Sequence, residues 1–256
     1  MGAILDPATT GIVVMAFVFI TLAAGVHIGV SLGLGGLIGM ALAISPDAAL
    51  AQLASVPFAT TNSFALAVIP LFVLMGSLAT QARLTTELYT AAHNWLGRLH
   101  GGLAMATTLA SAAFGAACGS TIVNAAVFTR IALPEMTRYG YDKRLAAGCI
   151  AASGTLASLI PPSILMVIYA IITEQSVARL LMAGLVPGLL SAAIYMSGIY
   201  VRARLNPKIA PMPDFHVSRK EKWKSLYGVW GITFLFALVI GGIYMGWFIP
   251  TYAGAI

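Results

Sequence analysis

The chain has 256 residues, 59% of them hydrophobic and only 9% charged, with a mean hydropathy of +0.92, whereas a soluble domain carries roughly a quarter charged residues. That composition excludes an ordinary soluble domain and reads as an integral membrane protein. The formal charge of +6 raises the question of nucleic acid, but the basic residues are distributed as membrane topology signals and no nucleic-acid partner is expected.

Apolar runs lie at residues 9–26, 30–46, 62–82, 102–117, 121–134, 145–172, 180–200 and 226–249, several of them near the ~20 residues a spanning helix needs. Strand-like alternation is absent, so the fold class is all-α integral membrane rather than a barrel. MGAILDPATT has no Lys or Arg to form the basic start of a secretory signal; the first run is counted as structure. Residues 1–82 are predicted to be N-terminal scaffold helices, in which Gly35 and Gly39 form a GxxxG pair suited to close helix packing. Residues 83–100 are predicted to form an amphipathic cytoplasmic helix. Cys118 and Cys149 sit inside apolar runs and match neither a disulfide framework nor a metal-ligand spacing; they read as small packing residues.

Seven of the fourteen basic residues, Arg202, Arg204, Lys208, Arg219, Lys220, Lys222 and Lys224, fall in one polar loop over 202–225. The positive-inside rule makes that loop cytoplasmic. Arg138, Lys143 and Arg144 mark a second cytoplasmic loop, and Arg83 and Arg98 bracket a third. The stretch from Asp47 to Thr61 has no basic residue and the link from Glu174 to Arg179 has one, so both face outward. The N-terminus is then periplasmic, 173–201 and 226–256 carry transmembrane helices, and a dual-orientation antiparallel homodimer is disfavoured.

Between Gly101 and Pro134 both flanks carry the inside signal, yet the two apolar runs reach only roughly 21 to 24 Å each, short of the ~30 Å hydrocarbon core. The predicted solution is a re-entrant helical hairpin over 101–137, entering from the cytoplasm and turning at GAACGST, Gly115 to Thr121. Bare turn backbone at membrane depth must be buried by protein or line a wet cavity. Its predicted partner is the helix over 145–172, which carries Pro161 and Pro162 at its centre. Two prolines remove two N–H donors and clash with the preceding turn, so this helix is expected to break near Leu159 to Ser163, within a transport region of 101–172. A proline kink with packing serines explains either feature alone. Two polar, Gly-rich interruptions in consecutive segments favour a site of the kind secondary transporters build from broken helices.

The candidate site residues are Gly119, Ser120, Thr121, Thr155, Pro161, Pro162 and Ser163, with Cys118, Asn124 and Ser153 as weaker members. No charged side chain falls in either interruption, which argues against proton coupling. Hydroxyls and carbonyls suit a dehydrated alkali cation, so Na⁺ is expected at Gly119, Ser120, Thr155 and Ser163. Helix N-termini would favour an anion such as a carboxylate. No other cofactor is expected.

The order of motifs IPLFVLMG (69–76), LGRLHGGLAMAT (96–107), FGAACGST (114–121), LPEMTRYGYD (133–142), IPPSILMVIYA (160–170) and AGLVPGLL (183–190) closely resembles the large membrane subunit of tripartite ATP-independent periplasmic (TRAP) transporters. The resemblance implies an inverted-repeat architecture like that of the ion-transporter superfamily, with only the first repeat present in this sequence. It further implies sodium-driven import of organic acids across a bacterial inner membrane. The implied partners are a small membrane (Q) subunit, a periplasmic substrate-binding protein, a second-repeat half, an organic anion and membrane lipid. The family's sodium-binding hairpin tip falls on Cys118, Gly119 and Ser120, and its proline break on Ile160 to Ser163. Cys118 stands where the family has serine, Arg130 where it has a small residue, and Tyr252 where it has an acidic one. A thiol is a poor ligand for a hard cation, whereas backbone carbonyl ligation survives the change; Arg130 is expected to snorkel to the cytoplasmic interface. The sequence holds no second hairpin and no second proline break, and is expected to be one half of a transporter.

Other classes fit less well. His27, His93, His100 and His216 are scattered, so an intramembrane serine hydrolase lacks a base, and no enzyme is expected. A single-component sodium–carboxylate symporter and a membrane scaffold subunit are the alternatives. The sequence does not distinguish one organic acid from another.

Overall fold

The computed structural model describes residues 5–62, 64–212, 217–249 and 252, and among them every regular element is helical. His216, and Pro250 and Thr251 just before Tyr252, lie outside the described residues. The chain divides into two units, one ending at Phe64 and the other beginning at Ala65.

The first unit holds α1 (Pro7–Ala23), α2 (Ile28–Ala43) and α3 (Pro46–Thr61). Each starts on a side-chain cap: Asp6 accepts from the N–H of Ala8 at 3.2 Å, His27 Nδ1 from Gly29 at 3.3 Å, and Ser45 Oγ from Ala48 at 3.1 Å. The GxxxG pair is a packing device. A Cβ on Gly35 would lie 2.7 Å from Val18 of α1, and one on Gly39 3.0 Å from Val14. Helix α3 occupies the stretch read from sequence only as an outward segment. Its start signals are a serine cap, Pro46 at the first helical position and Asp47 in the first turn.

The second unit is built around α6 (Gly102–Cys118). Fifteen of its seventeen residues are buried, so it packs on all sides rather than along one stripe. Around it lie α4 (Val68–Gln81), α5 (Leu84–Leu96), α7 (Thr121–Arg138), α8 (Lys143–Gly154) and α10 (Val177–Leu205). A 3-10 turn over Thr155–Ser158 follows α8, and α9 (Ile164–Ile172), α11 (Arg219–Gly228) and α12 (Trp230–Tyr244) complete the unit. One core joins Leu103 and Phe114 of α6 to Phe128 and Met136 of α7 and Ile150 of α8. A second joins Val68 and Phe72 of α4 to Val167 of α9, Leu181 of α10 and Val239 of α12.

Among the described helices, α10 alone is long and apolar enough to cross a membrane unaided; α4 with α5, bent by 64°, and α11 with α12, bent by 46°, qualify only as pairs. Val186, Leu190, Ile194, Val201 and Leu205 of α10 are all more than half exposed. Such a face is a liability in water and is at home in hydrocarbon.

Three sequence expectations are corrected. The hairpin turn is shorter than Gly115 to Thr121: α6 stays helical to Cys118 and α7 begins at Thr121. The arms are longer, 17 and 18 residues, or roughly 26 and 27 Å, because Pro134 is accommodated inside α7. The polar loop over 202–225 is partly helical. Helix α10 carries Arg202 and Arg204 in its last turn, and α11 begins at Arg219 on a capping box between Ser218 and Glu221.

Candidate functional site

The α6–α7 turn consists of two residues. Gly119 caps α6 at a φ of +62°, its N–H donating to the Gly115 carbonyl at 2.9 Å. Ser120 is extended (φ −119°, ψ 121°), and its hydroxyl accepts from the Val123 N–H at 3.4 Å to open α7. In the second interruption the α-helix ends earlier than sequence predicts: α8 stops at Gly154, not near Leu159, and tightens into the 3-10 turn. Residues 159–162 then run without helix through a cis Pro161–Pro162 bond. Ser163 restarts the helix with the same conformation as Ser120 (φ −117°, ψ 122°), its hydroxyl accepting from Met166 at 3.3 Å. Two serine-capped helix starts therefore flank one place.

The two interruptions touch. The Ile164 N–H, one of the unsatisfied donors at the start of α9, donates to the Gly119 carbonyl at 3.1 Å. A Cβ on Gly119 would stand 2.6 Å from the Pro162 carbonyl oxygen. Only glycine meets both the positive φ and this approach. Deeper in the contact, a Cβ on Gly115 would lie 3.0 Å from Ala157, and one on Gly154 3.4 Å from the Thr121 carbonyl. The structure thus brings Cys118, Gly119, Thr121, Pro162 and the start of α9 into one assembly.

Several hydroxyls around the break donate to nearby carbonyls. Ser163 donates to the Ser158 carbonyl, Thr155 to Ala152 and Ser158 to Thr155, each at 2.7 Å. A hydroxyl that donates its proton keeps its lone pairs, so Ser163, buried at the junction, retains acceptor capacity. Thr155 is exposed and Ser153 is fully buried against its own helix, donating to Cys149 at 2.6 Å. The Cys118 thiol donates to the Ser120 carbonyl at 3.5 Å, and that sulfur braces the tip. Asn124 is a cross-brace: its amide donates to the Ser111 carbonyl at 2.9 Å and its oxygen accepts from the Ser111 hydroxyl at 3.1 Å, both buried. No group of His, Cys, Asp or Glu suited to a metal occurs among the described residues. What surrounds the junction is neutral oxygen and helix termini, with half-helix starts contributing partial positive charge. Arg130 is exposed on α7.

Four further residues shape the site. A Cβ on Gly76 of α4 would lie 2.6 Å from the Cβ of Cys118, and one on Gly188 of α10 2.6 Å from the side chain of Ile160; one on Gly184 would collide with the Leu159 carbonyl. Ser111 completes the brace. Gly76, Gly184 and Gly188 belong to the motifs at 69–76 and 183–190, which do not by themselves give these glycines a purpose. Their signal is a small residue at a one-turn interval, Gly184 and Gly188, on an otherwise bulky helix.

At the opposite end of the hairpin, His93 Nδ1 of α5 lies 3.3 Å from Glu135 Oε1 of α7. The Tyr141 hydroxyl accepts from the Leu103 N–H at 3.3 Å, satisfying a donor in the first turn of α6. Burial pushes the Tyr141 phenol up to about 12.

The family described as "Tripartite ATP-independent periplasmic transporter, DctM component" matches residues 13–256. The chain is 41% identical to the C4-dicarboxylate TRAP transporter large permease protein DctM of Pseudomonas aeruginosa, over 88% of this chain and 52% of that protein. It is 37% identical to the DctM protein of Vibrio cholerae, over 91% of this chain and 50% of that one. To the sialic acid TRAP transporter large permease protein SiaM of Vibrio cholerae it is 32% identical, over 76% and 45%. The chain spans about half the length of the curated relatives it matches. With a family match over nearly all its residues, the chain belongs to the DctM family of TRAP transporter large permease components.

Proposed function

We propose that this chain supplies the first repeat of a secondary transporter that imports organic acids, carboxylates above all, on a sodium gradient. Its partners are a small membrane (Q) subunit, a periplasmic substrate-binding protein and a second-repeat half. The location is a bacterial inner membrane, multi-pass, with the N-terminus periplasmic and α6–α7 re-entrant from the cytoplasm. Arms of roughly 26 and 27 Å, short of the ~30 Å core, and basic residues at both flanks support the re-entrant reading.

The observation that carries the proposal is the hydrogen bond between Gly119 and Ile164. It joins the two helix interruptions, in neither of which an Asp, Glu, His, Lys or Arg occurs. In this reading Na⁺ is held by carbonyl and hydroxyl oxygens of Gly119, Ser120, Thr155 and Ser163, with Thr121 beside them. The N-termini of α7 and α9 face the substrate carboxylate. Pro161 and Pro162 keep the backbone open there by withholding N–H donors.

The test is uptake by the complete transporter in liposomes as sodium is varied. Ser120→Ala and Ser163→Ala are expected to raise the sodium concentration for half-maximal uptake, while Ser153→Ala, buried against its own helix, leaves it unchanged. Full uptake in sodium-free buffer would overturn the coupling assignment.

A further inference from the structure

Away from the tip and the proline break, α8 and α10 enclose a groove of about 470 Å³, and a second of about 830 Å³ runs along the other flank of α10. Arg202, Gly198 and Ile194 line both. The first groove is laid out in turns. On α8, Arg144, Gly148 and Ala152 recur at four-residue intervals; on α10, Arg202, Gly198 and Ile194 do the same in the opposite chain direction. Arg144 lies at the start of α8 and Arg202 in the last turn of α10, each beside a segment placed above on the cytoplasmic side. Cys149 and Ile199, both buried, form the floor. A Cβ on Gly148 or Gly198 would meet nothing within 4 Å, so the space above these glycines is open.

From the arginine level to Ala152 the groove runs eight residues, about 12 Å. Half of the hydrocarbon core is about 15 Å. Its length is that of one leaflet, its walls are apolar, and its charge lies at the end placed on the cytoplasmic side. Among the described residues neither Arg144 nor Arg202 has an ion-pair partner. Asp142, the nearest carboxylate in the chain, is engaged in capping α8, accepting from the N–H groups of Arg144 and Leu145 at 2.9 and 3.1 Å. No Asp or Glu lines either groove. The Thr108 hydroxyl on its wall donates to the Ala104 carbonyl at 3.0 Å, so its proton is not offered to a ligand. Tyr195 here, and Ser197 and Asn206 on the other flank, add isolated polar groups to walls that are otherwise apolar. An amphiphile with one anionic end fits throughout.

We propose that the α8–α10 groove binds an anionic phospholipid of the cytoplasmic leaflet, its phosphate held between Arg144 and Arg202 and one acyl chain lying over Gly148 and Gly198. This rests on the membrane placement proposed above, and not on the coupling ion. Its readout is lipid retention rather than uptake, so the two proposals fail separately.

The experiment is native mass spectrometry of the 256-residue chain released from nanodiscs of phosphatidylcholine with or without phosphatidylglycerol. Wild type is expected to retain phosphatidylglycerol preferentially. The pair Arg144→Gln and Arg202→Gln is expected to lower that retention roughly thirty-fold, from two basic contacts, while Arg144→Lys with Arg202→Lys keeps most of it. Gly198→Leu fills the groove and displaces both lipids; Gly148→Leu serves the same purpose from the facing helix should the first fail to fold. Neutralising Lys220, Lys222 and Lys224 on α11 leaves retention unchanged. The proposal is overturned by equal retention of the two lipids by wild type, or by an α11 variant that loses as much as the arginine pair. Loss of the bound lipid when the chain is assembled with the second half of a large permease also overturns it, since the groove would then hold protein.

Discussion

The Gly119 carbonyl and the Ile164 N–H lie 3.1 Å apart, and through that bond the end of one helix closes onto the start of another. Neither helix can complete its own ladder at this point. The donor belongs to a helix start that a proline pair leaves without an upstream turn, and the acceptor to a cap in left-handed conformation. Each interruption satisfies part of the other's backbone, which is how irregular backbone is tolerated inside a membrane protein.

Gly119→Ala tests this closure. An alanine at a φ of +62° costs about 1–2 kcal/mol, and its Cβ would stand 2.6 Å from the Pro162 carbonyl, so tip and break must separate. The expected result is loss of uptake in the complete transporter with the protein still inserted and largely helical. Gly188→Val, which drives a side chain into Ile160 from the α10 side, is expected to have the same effect. Wild-type uptake by Gly119→Ala would show that the contact is incidental.

The hairpin's internal brace is measured differently. Asn124→Leu removes both hydrogen bonds to Ser111 and leaves a buried hydroxyl without its acceptor, at a cost of about 1–3 kcal/mol. Adding Ser111→Ala removes the orphan and is expected to recover part of the loss. Thermal unfolding in detergent of the two single variants and the double variant supplies the cycle; strictly additive losses would mean the pair does not act as a brace.

Much of this arrangement is legible in the sequence because its signals are local. Pro161 and Pro162 announce a break wherever they stand, since the missing N–H groups are a property of the residues themselves. Ser120 and Ser163 are recognisable for a similar reason, each preceding an apolar run as a cap does. Gly76, Gly184 and Gly188 are different: their meaning lies in what faces them, Cys118, Leu159 and Ile160, and a glycine in an apolar helix says nothing of its partner. Asn124 was read as a possible ligand because a buried amide can serve either purpose, and only the position of Ser111 across the hairpin decides for bracing. The break at Leu159 to Ser163 falls where the prolines put it; the 3-10 turn before it is not legible, because Thr155 to Ser158 carry no residue that forbids an α-helix. Ala157 of that turn packs against Gly115, a contact the local sequence does not show.

Tyr141 carries a pH prediction. Its phenol titrates near 10 when the chain is unfolded and near 12 when buried in the fold, so the buried neutral form is favoured up to the unfolded value. Stability from this group is full below about 10 and is lost as pH rises towards 12, by roughly 2 kcal/mol at the upper end. Tyr141→Phe gives up the acceptor for the Leu103 N–H, about 1 kcal/mol, but cannot ionise. Wild type is therefore expected to be the more stable protein at neutral pH and to lose that lead in alkali. Unfolding curves for the two proteins that stay parallel from neutral pH to 12 would refute the assignment.

The proposed topology yields the last prediction. Helices α6 and α7 leave and return to the same side only if Arg98 and Arg138, at their two flanks, share a compartment, and the concentration of seven of fourteen basic residues in 202–225 names that compartment as the cytoplasm. With Cys118 and Cys149 replaced by alanine, single cysteines can be placed at Gln52, Thr121, Lys143 and Lys220. In sealed right-side-out vesicles a membrane-impermeant maleimide is expected to label Gln52→Cys directly, and Lys143→Cys and Lys220→Cys only after permeabilisation. Thr121→Cys, half-buried beside Gly154, is expected to stay slow from both sides if the tip lies at membrane depth as proposed. With Arg98 on the cytoplasmic side, labelling of Lys143→Cys from outside would leave α6 and α7 crossing an odd number of times between them. In that case one arm spans the membrane, the Gly119–Ser120 turn no longer sits within it, and the hairpin reading falls.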